Sequence, residues 1–247
     1  MSEIRLIVLD IDGVVSAGEA QPLELNLFEQ LGAMNRAARS DPDRPAITFC
    51  TGRPAPYLEL MLQAIDGQLP GVFENGAGIY SPADYQFMTL PGLGEYLNGF
   101  SEVVSRLEGT LVQDEIAYFQ PGKHYSLTLF AYDPKRASEL KDLTVEALGP
   151  LSERVDLVYS TFCLNILPRG VDKGKGLAHL AGMVEIPLGN MLGVGDSDVD
   201  LPFLRLVGHS AAPANANSNV KELVEYVSSR EIADGVRDIL AHFKLMS

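Results

Sequence analysis

Acids hold most of the positions in this chain where chemistry can reside. Asp10-Ile11-Asp12-Gly13 directly follows the apolar run Ile4–Leu9, and carboxylates at i and i+2 share one face of an extended strand. Two close acids repel unless a cation lies between them or one keeps its proton. An oxygen-rich site of this kind suits a hard cation such as Mg²⁺, while Asp-Gly is also an ordinary turn dipeptide. Thr51-Gly52-Arg53 follows the run Ala46–Cys50. A hydroxyl and free amides there can hold an anionic oxygen, or Thr51 can cap the next helix. In Gly170-Val171-Asp172-Lys173-Gly174-Lys175-Gly176, a lysine among glycines can offer a point charge to a phosphate or carboxylate. A solvated loop also fits, for Lys175 above all. The last motif is Gly193-Val194-Gly195-Asp196-Ser197-Asp198-Val199-Asp200. It is not an EF-hand, because Leu201 and Val207 stand where that loop needs Gly and Glu. Its glycines do not continue as the dinucleotide-binding GxGxxG. An acidic strand end suited to completing a metal site remains.

These motifs need elements to position them. Ile4–Leu9 reads as a strand covered on both faces. Leu27, Leu31, Met34 and Ala38 follow helical spacing, as do Leu58, Met61, Leu62 and Ile65. With strands at Ala46–Cys50 and Val72–Glu74, the order β-α-β-α-β implies a parallel sheet with helices outside it. The middle of the chain differs. Leu97, Phe100, Val104 and Leu107 predict a helix, and strand-like runs follow near 110–119 and 124–132. In the latter, Tyr125, Leu127, Leu129 and Ala131 alternate with His124, Ser126, Thr128 and Phe130, the period of a half-buried strand. A helix near 135–148 and runs at Val155–Tyr159 and Phe162–Leu167 complete an α-β-β-α-β-β unit. The first style then returns, with a helix near 173–182, a strand at Met191–Val194 and a helix from Leu201. Val220, Leu223, Val224 and Val227 predict another helix, as do Val236, Ile239, Leu240 and Phe243. The expected fold is α/β: a Rossmann-like parallel-sheet core with helices on both faces, residues 1–82 and 169–247, interrupted by an α+β insert over 83–168.

Composition narrows the partners. Among 247 residues, 33 acids against 19 bases give a net charge of −14, which opposes nucleic-acid binding and docking on an anionic membrane. One local pocket can still accept a small phosphorylated ligand. No apolar run approaches the ~20 residues of a membrane span, and the N-terminal apolar stretch is too short for a signal sequence. Cys50 and Cys163 make neither a disulfide framework nor a metal-site spacing, so a reduced, cytoplasmic setting is expected.

The four motifs, in their order, resemble those of the haloacid dehalogenase-like phosphohydrolases: Asp10–Gly13, Thr51–Arg53, Lys173 and Gly195–Asp200. Glu74-Asn75-Gly76-Ala77, Ala214-Asn215-Ala216 and Asp234-Gly235-Val236 extend the match, and the αββαββ insert is similar to the large cap of the class IIB, or Cof-type, branch. Two positions depart from the family pattern, Val14 where Thr is common and Val199 where Asn is usual. The resemblance implies a Mg²⁺-dependent phosphomonoesterase working through an aspartyl-phosphate. Asp10 would be the nucleophile and Asp12 the acid and base. Thr51, Gly52, Lys173 and Asn75 would hold the phosphoryl group. Asp10, the Asp12 backbone carbonyl and Asp196 would hold the metal, with Asp200 behind them. Asn165, Lys123, His124 and Arg169 are expected to face the substrate from the cap. The expected substrate is a small metabolite such as a sugar phosphate, a glycosyl-phosphoglycerate or phosphoglycolate. A phosphomannomutase-like phosphoryl transfer and a catalytically silent binding module are the alternatives.

Overall fold

The computed structural model of the chain describes residues 3–160 and 163–246. In order along it run β1 (Leu6–Leu9), α1 (Leu25–Ser40), β2 (Ala46–Phe49), α2 (Ala55–Ala64), β3 (Gly71–Phe73), β4 (Gly78–Ser81), β5 (Gln86–Thr89), α3 (Leu93–Tyr96), α4 (Phe100–Leu107), β6 (Ala117–Phe119), β7 (Leu127–Ala131), α5 (Leu140–Leu148), β8 (Val155–Ser160), β9 (Cys163–Pro168), α6 (Lys173–Val184), β10 (Met191–Val194), α7 (Leu201–Leu204), β11 (His209–Ala212), α8 (Ser218–Leu223), β12 (Tyr226–Val227) and α9 (Ile232–His242).

A five-stranded sheet, ordered β12-β11-β10-β1-β2 and parallel throughout, forms the core. Its central strands are buried on both faces, with side chains alternating between two apolar clusters. Ile7, Leu9, Ile47 and Phe49 pack with Leu27 and Leu31 of α1, Leu58 and Met61 of α2, and Val236 and Ile239 of α9. On the opposite face, Leu6, Val8 and Met191 meet Leu177 and Leu180 of α6 and Phe203 of α7. Each of these side chains contributes about 1.5–3 kcal/mol by leaving water. One polar group takes part on α1: Asn35 is buried where an apolar residue fits the helical stripe. Its side-chain oxygen accepts from Ile47 N–H at 2.8 Å, and its NH₂ donates to the carbonyls of Ile65 and Ile47, pinning α1 to β2 and to the end of α2.

β3 joins this sheet through one parallel bridge, Cys50 to Val72, and turns into an antiparallel trio, β3-β4-β5. The expected junction at residues 82–83 falls in the turn between β4 and β5. The cap is a separate antiparallel sheet, ordered β6-β7-β9-β8. Its apolar face carries Leu129, Leu164 and Ile166 against Phe100, Val103 and Leu107 of α4 and Leu140 and Leu148 of α5.

Several local expectations change. The run near 110–119 is a strand only at Ala117–Phe119, because Leu111 continues the buried helical stripe of Phe100, Val103 and Leu107 and one wide turn extends α4 through Val112. Val104 packs at the edge of that core as expected, and Val103 joins it fully buried. The helix expected to include Val224 and Val227 stops at Leu223; Tyr226–Val227 instead pair with Ala211–Ala212 at the sheet edge. The alternation in β7 holds, and Thr128 within it and Ser126 just before it are both buried, Thr128 at the cavity and Ser126 against Glu74. The start of the run Phe162–Leu167 lies outside the described residues at Phe162; β9 begins at Cys163.

Candidate active site

All five core strands point their carboxyl ends to one edge, the edge where open α/β sheets bind ligands. Asp10 leaves β1 there, held by its N–H on the Val194 carbonyl at 2.9 Å. Gly13 turns the chain at φ +86°, and a Cβ on it would stand 2.2 Å from Asp196 Oδ2. Only glycine therefore lets the Asp10–Gly13 and Asp196 loops approach. Asn215 reinforces the turn by donating to the Gly13 carbonyl at 2.8 Å.

Lys173 opens α6, whose N-cap is the Asp172 side chain. Its ammonium is buried and lies 2.7 Å from Asp10 Oδ1 and 2.5 Å from Asp200 Oδ1. Burial opposes its charge, yet Asp10 and Asp200 outweigh that effect and hold the lysine above its usual pKa. The second oxygen of Asp200 accepts from the N–H groups of Asp196 and Ser197, at 2.9 and 3.1 Å, and from the Ser197 hydroxyl. Asp200 is thus fully engaged. Asp198 is turned aside, accepting from Asn217 and Asn219 at 2.9 Å each.

The oxygens of Asp10, Asp196 and Asp200 gather within 4.8 Å of one another. Burial, then the charge of Asp200, raises Asp10 despite Lys173; burial, then Asp200 and Asp10, raises Asp196. Asp196 Oδ1 is buried with no hydrogen-bond partner. A carboxylate-only donor set with an orphaned oxygen and uncompensated negative charge fits a hard divalent cation.

Asp12 is clamped by Arg53, at 2.6 Å to Nε and 2.7 Å to Nη2. The guanidinium also lies 3.5 Å from Glu19 and 4.7 Å above the Tyr57 ring. Burial opposes the Arg53 charge, but the Asp12 pair and Glu19 raise its pKa. Thr51 is fully buried, and its Oγ1 accepts the Arg53 N–H at 3.1 Å. It closes the turn that presents Gly52 and Arg53; it does not cap α2, which starts behind Pro54 without a side-chain cap. Gly52 passes so close to Asn75 that a Cβ would meet Asn75 Oδ1 at 2.9 Å.

Glu74 and Asn75 both adopt left-handed backbone, φ 47° and 56°, a strain of about 1–3 kcal/mol per residue that concentrates at functional sites. Asn75 Oδ1 is buried without a partner, and its amide donates across to Asn165 Oδ1 of the cap at 3.4 Å.

A cavity of about 240 Å³ lies between core and cap, and Thr51, Glu74 and Asp200 stand behind its lining. Asp10, Asp12, Gly52, Asn75, Lys173 and Asp196 form its floor and wall from the core, and Lys123, Thr128 and Asn165 approach from the cap. Lys123 donates to Thr128 Oγ1, and Thr128 to Asn165 Oδ1 at 3.0 Å. Burial pushes the Lys123 ammonium down to about 8, and among the described residues it has no ion-pair partner. Two cap expectations are corrected. The His124 side chain is exposed while its N–H turns inward to Glu74, and Arg169 is drawn to the surface by Asp156, 3.7 Å away. Neither lines the cavity. Both family departures are apolar and buried, Val14 in the core and Val199 on the cavity wall.

Arg53, Glu19, Gln120, Thr128 and Ser160 also border the cavity without a role read from sequence. The alternation of β7 was the signal for Thr128. Arg53 stood inside a motif, but its pairing across 41 residues leaves no trace in spacing.

The fold and site together define a capped α/β enzyme whose cavity floor gathers the carboxylates of Asp10 and Asp196 beside the buried ammonium of Lys173. A family model described as haloacid dehalogenase-like hydrolase matches residues 108–240, and the chain belongs to that family. A phosphoglycolate phosphatase of Methanopyrus kandleri is 27% identical over 235 residues, 95% of each chain. Another, from Methanothrix thermoacetophila, is 34% identical over 103 residues, 42% of this chain and 46% of its own length. The solved structure of a subclass IIB sugar phosphatase superposes with a TM-score of 0.71 at 16% identity, covering 98% of this chain and 100% of that one. This likeness is one of fold, and the fold is that of subclass IIB. The chain is a phosphatase of that family. No helix among the described residues is long and apolar enough to cross a membrane.

Proposed function

We propose that this phosphatase is a Mg²⁺-dependent phosphomonoesterase that forms an aspartyl-phosphate on Asp10 and acts on a small metabolite whose leaving group carries its own negative charge. The observation that carries the chemistry is Lys173, buried between Asp10 and Asp200 beside the orphaned Asp196 oxygen. Phosphate binding beside Asp10 needs positive charge, and Lys173 is fixed there by two acids.

An Asp10 oxygen attacks phosphorus, forming a P–O bond while the ester P–O bond breaks. Asp12 gives its proton to the departing alkoxide. It then takes a proton from the water that attacks phosphorus, and the bond to Asp10 breaks to release inorganic phosphate. Arg53 orients Asp12 for both transfers, and the remaining lone pairs of the carboxylate stay available to the leaving oxygen. Lys173, the Gly52 amide and Asn75 hold the phosphoryl oxygens as charge builds on them, and Thr51, buried behind them, fixes the turn that presents Gly52. Asp10, Asp196 and the Asp12 carbonyl would hold Mg²⁺, and Asp200 keeps Lys173 and the Asp196 loop in place. The bound ion supplies charge that offsets repulsion between carboxylates and the phosphate dianion.

Replacing Asp196 with Asn should abolish the stabilisation that Mg²⁺ gives the wild type, about 2.7 kcal/mol at a hundredfold excess over Kd. Calorimetry with and without MgCl₂ reads this independently of activity. An undiminished Mg²⁺ shift in the variant would remove Asp196 from the metal site.

Lys123 supports the substrate reading, as do the phosphoglycolate phosphatase relatives. An ammonium with no ion-pair partner among the described residues, facing a small cavity, is suited to a leaving-group carboxylate. Steady-state kinetics on phosphoglycolate and on a neutral sugar phosphate test it. Wild type should prefer phosphoglycolate without any bisphosphate activator, which also separates a hydrolase from a mutase. Lys123→Met should lose a charge-assisted bond of about 1.5–3 kcal/mol, roughly 10- to 100-fold in kcat/KM for phosphoglycolate. The sugar phosphate should be little affected, and an equal loss on both would sink the assignment. Two buried, unpaired cysteines support a reduced, cytoplasmic setting.

A further inference from the structure

We infer that Glu74 is the post on which the cap docks, a positioning residue that sets Lys123 and Thr128 over the phosphate site. Its carboxylate is buried, yet it neither lines the cavity nor pairs with a cation among the described residues. It receives the cap instead. Oε1 accepts from His124 N–H at 2.9 Å, and Oε2 from Tyr125 N–H at 2.7 Å and Ser126 N–H at 2.9 Å. The Ser126 hydroxyl adds a fourth bond at 3.3 Å. Three successive backbone amides converging on one carboxylate make a fixed anion cradle, and charge-assisted bonds of this kind are the strong ones. The cradle spans the residues between Lys123 and Thr128, the two cap groups that hydrogen-bond each other in the cavity.

The core side of the post is equally tied. Glu74 N–H donates to the Arg53 carbonyl and Asn75 N–H to the Thr51 carbonyl, both at 3.0 Å. The phosphate loop, the strained Glu74–Asn75 turn and the cap segment thus form one connected unit. The left-handed backbone at both residues sends Glu74 to the cap and Asn75 to the cavity. Phe73, just before, meets the Tyr125 ring at 6.4 Å, so apolar contact flanks the polar latch. Release of Glu74 exposes three amides at once, which makes docking of this segment cooperative.

The kinetic half of this inference rests on the substrate reading above; the structural half does not. In Glu74→Gln the side-chain amide brings its own donors against three N–H groups. In Glu74→Asp the charge stays but falls one methylene short. Hydrogen exchange of the amides of residues 124–126 should quicken about tenfold or more in both variants, with exchange in β1 and β10 unchanged. KM for phosphoglycolate should rise about tenfold, with kcat changing much less, because the chemical groups stay on the core. Unchanged exchange at 124–126, or exchange quickened equally throughout the chain, would overturn the docking role. A rise in KM without a change in exchange would overturn it too. If the wild type does not hydrolyse phosphoglycolate, the substrate reading falls while the exchange result still decides the role of Glu74.

Discussion

Asp10→Asn is expected to lower kcat for phosphate release by about 10⁴-fold or more, the scale of losing a nucleophile that acts as part of a unit. An amide oxygen does not form a stable acyl-phosphate bond under these conditions, so the two-step route closes. The fold should survive, because the side-chain amide oxygen of the variant can still accept from Lys173, whose ammonium lies 2.7 Å from Asp10 Oδ1. Without cation the variant should be at least as stable as wild type, since one buried carboxylate no longer repels Asp196 and Asp200. Phosphate release in the presence of Mg²⁺ and a thermal melt without it measure the two effects. A variant that keeps a tenth of wild-type turnover contradicts the assignment.

Lys173→Met should cost both stability and activity. The substitution leaves Asp10 and Asp200 buried without their cation, and breaking a buried pair from one side costs about 3–5 kcal/mol. For a chain of this size that is a fall in Tm of roughly 10 °C. Activity should fall as well, because the phosphoryl group loses the buried cation aimed at it. A double variant, Lys173→Met with Asp200→Asn, removes one of the stranded charges and should recover part of the lost stability. It should recover no activity. Recovery of turnover in the double variant would show that Lys173 serves the fold and not the phosphate.

What the sequence discloses here follows how far apart the cooperating residues lie. Asp10 and Asp196 were legible because each follows an uninterrupted apolar strand, and strand ends in such folds meet at one edge. Both strands lie in the sheet expected, side by side in register from Leu6 opposite Met191. β11 was hidden because His209-Ser210-Ala211-Ala212 has no apolar run to mark it; its small residues are placed by the sheet they join. The helical extension through Leu111 was hidden because Gly109 and Thr110 are poor helix formers and the residues after them resemble a strand. The inward turn of Ser126 and Thr128 was legible as an alternation but not as a direction, since only the core beneath the cap tells which face is covered. Arg53 with Asp12 and Glu74 with residues 124–126 join segments 41 and 50–52 positions apart. No local pattern encodes such pairs, and they are where the cap acquires its hold on the chemistry.

In the proposed mechanism the phosphoryl group passes through Asp10. Acid quench of the Asp12→Asn variant, mixed with Mg²⁺ and radiolabelled p-nitrophenyl phosphate, tests it most directly. That leaving group departs without a proton, so the first step proceeds while hydrolysis of the intermediate stalls for lack of a base. Label should accumulate on the peptide that carries Asp10, and none should appear when Asp10→Asn is added. Label on any other residue, or nitrophenol release at the wild-type rate with no labelled protein, would contradict it.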